Sequence, residues 1–198
     1  MGQQKKILEL AREKGIIRAM DVEALGISRN YLYRMHKAGL LERCAVGLYK
    51  LTEAPVNENF YLAEIAKRLP RAVICLVSAL SYHGLTTQIP HEIWLTIPRA
   101  SWLPHVDYPP VNLTYVSGLA YSFGIQEHVI NGVSVRIYSP AKTVADCFKF
   151  RSKVGLDVAI EALREAWRSR KVTMDELVEA AGVDRVSKIM RPYLEAVV

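Results

Sequence analysis

Between Gly15 and Leu51, the pattern of apolar and polar positions predicts two short helices followed by a β-hairpin. The second helix is expected over residues 29–38, and stepping through it by 100° per residue separates two unlike faces. The apolar face holds Tyr31, Leu32 and Met35, and the polar face holds Arg29, Asn30, Tyr33, Arg34 and Lys37. This helix is therefore expected to pack on one side and to present cations without carboxylates on the other.

Turn and capping residues set the limits of these elements. Gly26 to Ser28 separates the two helices, and the Ser28 hydroxyl is a good N-cap because it can accept from backbone N–H groups of the next turn. Gly39 is a natural residue for ending the helix. The runs 41–44 and 48–51 flank a loop that contains glycine, which predicts a hairpin.

A helix over Gln3 to Lys14, a second over residues 19–25, the turn, the basic helix and the hairpin follow the order of a winged helix-turn-helix. In that motif the recognition helix enters the DNA major groove, and its first residues contact base edges. Arginine pairs well with guanine and asparagine with adenine. The predicted DNA-binding residues are Ser28 at the helix start, Arg29, Asn30, Tyr33 and Arg34 at base edges, and Lys37, Arg43 and Lys50 at phosphates. A basic helix face is also typical of a simply solvated surface, and helix-turn-helix folds also contact proteins.

A second domain is expected after the polar, proline-containing segment 52–57, which predicts a linker. The boundaries are residues 1–56 for the winged helix and 57–198 for the second domain. Four strands are expected there, over residues 92–97, 111–116, 125–130 and 133–138, with Asn131-Gly132 as a hairpin turn. Helices are expected over residues 58–69 and 78–84, from Ser139-Pro140 onward, over residues 156–167, from Thr173 and from Asp184, with Pro192 kinking or interrupting the last.

The expected fold class is therefore α+β. An N-terminal winged helix-turn-helix is followed by a mixed α/β domain with a small sheet and C-terminal helices. Of the 198 residues, 51% are hydrophobic, which suits a packed core and excludes a disordered chain. Residues 1–55 hold 10 Lys and Arg against 6 Asp and Glu, so most of the net charge of +6 lies at this end. That asymmetry suits a polyanion partner such as double-stranded DNA.

Cysteine usage and hydropathy indicate where the protein works. Cys44, Cys75 and Cys147 fit neither a disulfide framework nor a zinc spacing, and their apolar contexts predict buried thiols in a reducing cytoplasm. The N-terminus is an amphipathic helix with charges throughout, which is unlike a signal peptide. The longest apolar run, residues 72–80, is too short to span a bilayer, so no membrane partner is expected.

The second domain offers weak candidates for catalysis. Its histidines form no ligand motif, and no cofactor loop or metal site is expected. Asp146 lies on an apolar helix face, so its carboxylate needs a partner, and it is expected to be either a site residue or a structural anchor. The spacing of Asp107 and Asp146 does not indicate the clustered carboxylates that bind a catalytic metal. His83 is expected to cap or pack. The aromatics Trp94, Trp102, Tyr108, Tyr115, Tyr121 and Phe123 belong to a sheet core or to a contact surface.

The stretch GISRNYLYRMHKAGLLERCAVGLYKL resembles the winged helix of AbiEi-family antitoxins from type IV toxin–antitoxin systems. Three later stretches, SALSYHGL, EIWLTIPR and GVSVRIYSPAKTVADCFKF, resemble the second domain of that family. The resemblance implies a non-enzymatic repressor that binds operator DNA, represses its own operon and counteracts a nucleotidyltransferase-like toxin. It does not imply direct contact with the toxin, and it leaves a homodimer on DNA open.

Two other functions fit the same residues. One is a winged-helix regulator whose second domain binds a small effector and which has no toxin. The other is an enzyme acting on nucleic acid or nucleotides, targeted by the winged helix. A neighbouring gene for a nucleotidyltransferase-like protein favours the antitoxin over the effector-responsive regulator, whereas activity lost on mutating Asp107 or Asp146 favours the enzyme.

Overall fold

The chain forms two compact units in a computed structural model that describes residues 2–53, 59–99, 101, 106 and 108–197. The first unit comprises Met1–Pro70 and His128–Val135, and the second comprises Arg71–Glu127 and Arg136–Val198. The expected α+β class with an N-terminal helix-turn-helix is confirmed. Within the described ranges, no helix has the length and apolar character needed to cross a membrane.

The first unit alternates helices with the strands of a small sheet. Its elements are α1 (Gln3–Lys14), β1 (Ile16–Arg18), α2 (Ala19–Glu23), α3 (Asn30–Lys37), β2 (Leu41–Ala45), β3 (Leu48–Leu51) and α4 (Phe60–Arg68). The strands pair antiparallel in the order β1-β3-β2, so β3 is bonded on both edges. The core comprises Ile7, Ala11, Ile17, Val22, Ile27, Leu32, Met35 and Leu41.

Helix α4 belongs to the first unit, although the sequence places it at the start of the second domain. The contact-based division falls after Pro70 rather than at residues 56/57. Most of the expected linker, residues 54–57, and the expected helix start at Asn57 or Glu58 lie outside the described residues. The boundary at residues 56/57 therefore stays a prediction.

The second unit is built on a five-stranded sheet with the strand order β6-β5-β4-β8-β7. The strands are β4 (Val73–Ile74), β5 (Ile93–Pro98), β6 (Val111–Val116), β7 (Ile125–Ile130) and β8 (Val133–Tyr138). The helices are α5 (Leu76–Tyr82), α6 (Leu119–Ser122), α7 (Pro140–Lys149), α8 (Arg151–Val154), α9 (Leu156–Arg168), α10 (Met174–Val183) and α11 (Ser187–Val197). Strand β4 runs antiparallel to β5 and parallel to β8, which makes the sheet mixed.

The turn between β7 and β8 has the residues that the sequence predicts for a tight hairpin. Asn131 and Gly132 both have positive φ, +49° and +74°, as a type I′ turn requires. This tip is counted in the first unit, where a Cβ on Gly132 would lie 2.6 Å from the Glu13 carbonyl oxygen. Glycine is therefore needed for both the backbone angle and the close approach.

Helix α7 lies at the centre of the second unit and contacts α5, α9 and α10. Pro140 occupies its first turn, and the Ser139 hydroxyl accepts a hydrogen bond from the Lys142 backbone N–H, as predicted. Residues 141–148 are all buried, so the helix has no solvent-facing stripe. Two charged side chains, Lys142 and Asp146, are consequently enclosed in an apolar core.

The enclosed charges form a compact network. The Lys142 ammonium lies 2.6 Å from Asp146 Oδ1 and 3.0 Å from Asp184 Oδ2, and Lys149 lies 3.1 Å from Asp184 Oδ1. Asp146 Oδ2 is buried without a hydrogen-bond partner among the described groups. Burial raises the pKa of the Asp146 carboxyl, and the Lys142 ammonium opposes that increase.

The prediction that Asp184 caps the start of the last helix is wrong: Asp184 is the C-cap residue of α10, and its carboxylate binds Lys142. Pro192 lies inside α11 without interrupting it, and the alternative expectation of a kink there stays a prediction. The capping box predicted at Thr173 is confirmed, because its hydroxyl accepts from the Glu176 N–H while the Glu176 carboxylate accepts from the Thr173 N–H.

Replacing Lys142 by methionine should lower the free energy of unfolding by roughly 3–5 kcal/mol, because two buried carboxylates lose their common cation. Lys153→Met, at an exposed lysine of α8, is the matched control and should change stability little. Urea denaturation of the full chain measures both. Equal stability of the two variants would contradict the role given to the network.

The pH dependence of stability gives a second test. A carboxyl whose pKa is raised on folding contributes stability at low pH, and that contribution is lost as the pH rises through the folded-state pKa. The stability advantage of wild type over Asp146→Asn should therefore be smaller at pH 8 than at pH 5, as measured by urea denaturation. An advantage that grows with pH would show that attraction to Lys142 outweighs the burial cost.

Candidate nucleic-acid interface

Ser28, the N-cap residue predicted from the sequence, precedes helix α3 and bonds to its first turn. The Asn30 N–H donates to the Ser28 hydroxyl over a long 3.4 Å, and the Tyr31 N–H donates to the Ser28 carbonyl oxygen at 2.9 Å. Arg29 already has helical backbone angles, with φ −52° and ψ −26°, although the regular α-helix starts at Asn30. Ser28 therefore caps the helix one residue before its formal boundary, within the usual uncertainty of helix ends.

The other end of α3 closes with a Schellman motif. Gly39 has a φ of +74°, its N–H donates to the His36 carbonyl oxygen, and the Leu40 N–H donates to that of Met35. His36 strengthens the junction with the hairpin, since its Nδ1 lies 3.0 Å from the Leu41 carbonyl oxygen. The helix is thus fixed at both ends relative to the strands that follow it.

The helix divides into the two faces that its period predicts. Leu32 and Met35 are buried and Tyr31 is half-buried against the core of the first unit. All five residues of the polar face are exposed, namely Arg29, Asn30, Tyr33, Arg34 and Lys37. The structure therefore brings these candidates together on one accessible surface, which we call the α3 face.

Aromatic rings hold two of the cations of the α3 face. Lys37 Nζ lies 5.2 Å from the centre of the Tyr33 ring, and the Arg34 guanidinium lies 5.6 Å from that of Tyr31. Such contacts favour a defined position of the charge at small cost to its hydrogen-bonding capacity. The α3 face thus offers partly preorganised donors to an anionic partner.

The hairpin of β2 and β3 forms the wing. Gly47 has a φ of +73° in its turn, and the pairing is irregular between Arg43 and Ala45. Arg43 is exposed, and its Nε donates to the Ala45 carbonyl oxygen at 3.3 Å. The remaining guanidinium N–H groups are directed by this bond and stay available for a phosphate.

Lys50 does not belong to this surface, although the sequence analysis includes it among the phosphate contacts. It is 4% exposed, its ammonium lies 3.0 Å from Glu42 Oε2, and it lies 5.0 Å from the centre of the Phe60 ring. The physical reason is the strand period, which places Lys50 on the same buried face of β3 as Leu48. A buried, paired ammonium cannot reach a DNA phosphate. The burial of Lys50 could have been predicted from the sequence, because it lies two residues after Leu48 on the same strand.

Three exposed apolar residues of the first unit were not among the candidates from the sequence. Val46 at the wing tip is 87% exposed and Met20 of α2 is 65% exposed. Leu25, in the turn that follows α2, is 43% exposed. Apolar side chains in such positions suit contact with thymine methyl groups or with sugars.

Asp146 and His83, the residues of the second unit considered for catalysis, both contact other groups of the protein. Asp146 is held by Lys142, and His83 caps α5 with its Nε2 2.7 Å from the Tyr138 carbonyl oxygen. Burial raises the pKa of Cys75 to about 12, so this thiol is not a nucleophile at neutral pH. Asp107 lies outside the described residues; among those that are described, no cluster of three or more His, Cys, Asp or Glu could hold a metal ion.

The aromatics of the second unit fall into two groups. Trp94, Tyr121 and Phe123 are partly buried against the core, as a sheet core requires. Tyr108 and Tyr115 are exposed, and Trp102 lies outside the described residues. The sheet-core alternative is therefore confirmed for Trp94, Tyr121 and Phe123, and a contact surface at Tyr108 and Tyr115 stays a prediction.

Helices α1 to α3, the wing and the exposed basic α3 face define a winged helix domain in the first unit, of the kind that transcription regulators use on DNA. Residues 5–52 match a family model described as "Transcriptional regulator, AbiEi antitoxin". The predicted resemblance to AbiEi antitoxins is confirmed over this segment, and with it the assignment to DNA-binding transcription regulation.

A solved structure is similar over almost the whole chain. The crystal structure of the RV2827C protein from Mycobacterium tuberculosis superposes with a TM-score of 0.57 at 13% identity, covering 98% of this chain and 80% of that one. At this identity the likeness concerns the fold alone. No curated protein gives a significant match.

The salt dependence of DNA binding should distinguish the exposed Lys37 from the buried Lys50. Lys37→Ala should reduce the slope of log K against log salt by about 1, because one phosphate contact and its released counterion are lost. Lys50→Met should leave the slope unchanged, since the buried ammonium releases no counterion. Fluorescence anisotropy over a salt series measures both, with circular dichroism to check folding. A reduced slope for a folded Lys50→Met variant would contradict the proposed interface.

Proposed function

We propose that this chain is an autoregulating repressor that binds operator DNA through the α3 face and serves as the antitoxin of a type IV toxin–antitoxin pair. The observation that carries the DNA-binding part is the accessible, carboxylate-free α3 face on a winged helix whose sequence matches an antitoxin regulator family. The antitoxin part rests on that family's description and on the resemblance of three later stretches of the chain.

The geometry suggests a role for each exposed residue. Arg29 and Asn30 lie at the helix start, the part of a recognition helix that approaches the bases first. Arg34 follows one turn later and suits a guanine, whereas Tyr33 supplies a ring and a hydroxyl. Lys37 at the helix end and Arg43 in the wing suit phosphates on either side of the groove. Ser28 keeps the helix start in place.

We propose that the second domain, from residue 57 onward, carries the antitoxin function without catalysis. The partner is a nucleotidyltransferase-like toxin, which the domain need not touch. Support comes from Asp146, whose carboxylate is bound to a buried lysine rather than open to a substrate. The free thiols suit a reducing cytoplasm. Two copies on a palindromic operator are the arrangement that a winged helix of this size favours.

A double variant tests DNA reading and antitoxicity together in the full chain. Arg29→Ala combined with Arg34→Ala should abolish repression of a reporter driven by the protein's own promoter, since each lost base contact costs about 1–3 kcal/mol. The same variant should still rescue growth when the toxin encoded next to it is co-expressed. The matched control, Arg164→Ala combined with Arg168→Ala, removes two exposed arginines of α9 and should leave both readouts intact.

Unchanged repression by the folded Arg29 and Arg34 double variant would refute the α3 face as the DNA reader. Loss of rescue together with repression would refute the division of function between the two domains. If wild-type protein represses its promoter but no neighbouring gene product is toxic, the antitoxin assignment fails and a regulator without a toxin is favoured.

A further inference from the structure

The second unit contains a cleft of about 760 Å³ that has no part in the function proposed above. One wall is the end of β6 with the turn after it, residues 115–120. The other walls are the C-terminal end of α7, at Lys149 and Phe150, and residues 182–185 at the end of α10, together with Arg99. Its volume lies in the range that small-molecule ligands occupy.

The described lining of the cleft is cationic. It carries Arg99, Lys149 and Arg185 against a single carboxylate, that of Asp184. Asp184 is already compensated, because Lys142 lies 3.0 Å and Lys149 lies 3.1 Å from its oxygens. Arg99 and Arg185 are exposed, and neither forms an ion pair with any carboxylate of the described residues. Among the described residues, the cleft therefore presents two guanidinium groups without a carboxylate partner, beside a half-buried ammonium.

Aromatic rings accompany these cations. Tyr115 is 48% exposed on β6, and Phe150 lies half-buried with Lys149 Nζ 5.8 Å from the centre of its ring. An exposed ring next to guanidinium groups is the combination that stacks a nucleobase while its phosphates are neutralised. An inorganic anion would contact only the cationic side chains and would not stack on the aromatic rings.

We propose that this cleft binds a nucleoside phosphate, with Arg99, Lys149 and Arg185 at the phosphates and Tyr115 under the base. The buried ion network positions Lys149 through Asp184, so this cation is held before a ligand arrives. The site lies in the second unit and does not depend on DNA binding by the α3 face.

Isothermal titration of the full-length protein with adenosine triphosphate, guanosine triphosphate and inorganic triphosphate tests the proposal. Arg99→Gln combined with Arg185→Asn should weaken nucleotide binding at least about tenfold, as expected for two lost charge-assisted contacts. Asparagine is chosen because Arg185 has a φ of +60°, a backbone conformation that asparagine tolerates. Arg164→Gln, at an exposed arginine of α9, is the control and should bind like wild type.

Tyr115→Ala separates a nucleotide from a bare phosphate. It should weaken binding of the preferred nucleotide by roughly fivefold or more through lost stacking, and leave inorganic triphosphate unaffected. The Arg34→Ala variant should bind nucleotide normally, which excludes the α3 face as the site measured. The proposal is overturned if wild type shows no saturable nucleotide binding, if the folded double variant binds like the control, or if Tyr115→Ala changes nothing.

Discussion

The burial of Leu32 and Met35 is the constraint on which the first unit depends. Both side chains point into a core that also contains Ile7, Val22 and Leu41, so helix α3 can face the core in only one rotation. Because an α-helix turns 100° per residue, that single choice exposes Arg29, Asn30, Tyr33, Arg34 and Lys37 together. The α3 face, which we propose as the DNA-reading surface, is thus a consequence of apolar packing, and rotating the helix would bury cations without partners.

The second unit is organised around a different constraint, the burial of the Lys142 ammonium. A charge in that position needs compensation, and the unit supplies it from Asp146 on the same helix and from Asp184 at the end of α10. The Lys142 ammonium thus joins α7 to the end of α10, and removing it would leave two buried carboxylates without their common cation. Asp146, which the sequence left open as a site residue or a structural anchor, therefore binds a buried lysine of its own helix.

Local interactions made much of this fold predictable. The limits of α1, β6, β7 and β8 follow from patterning and from turn residues close in sequence, and the Asn131-Gly132 turn needs only its own two residues. The attachment of Asp146 to Lys142 is an i, i+4 relation on one helix and could have been found the same way. Its second partner, Asp184, lies far along the chain, so only tertiary structure reveals it. The burial of Lys50 has a local signal, its spacing of two from the buried Leu48 on β3, whereas its contact with the Phe60 ring depends on tertiary structure.

Amide hydrogen exchange of the full-length protein, with and without a duplex from its own promoter region, tests the central claim most directly. The account predicts slower exchange over residues 29–37 and over the wing, residues 41–51, with the promoter duplex but not with a scrambled duplex of equal length. Exchange in α10 should be unchanged. Unaltered exchange over residues 29–51, with protection confined to the second unit, would contradict the assignment of the α3 face as the DNA-reading surface.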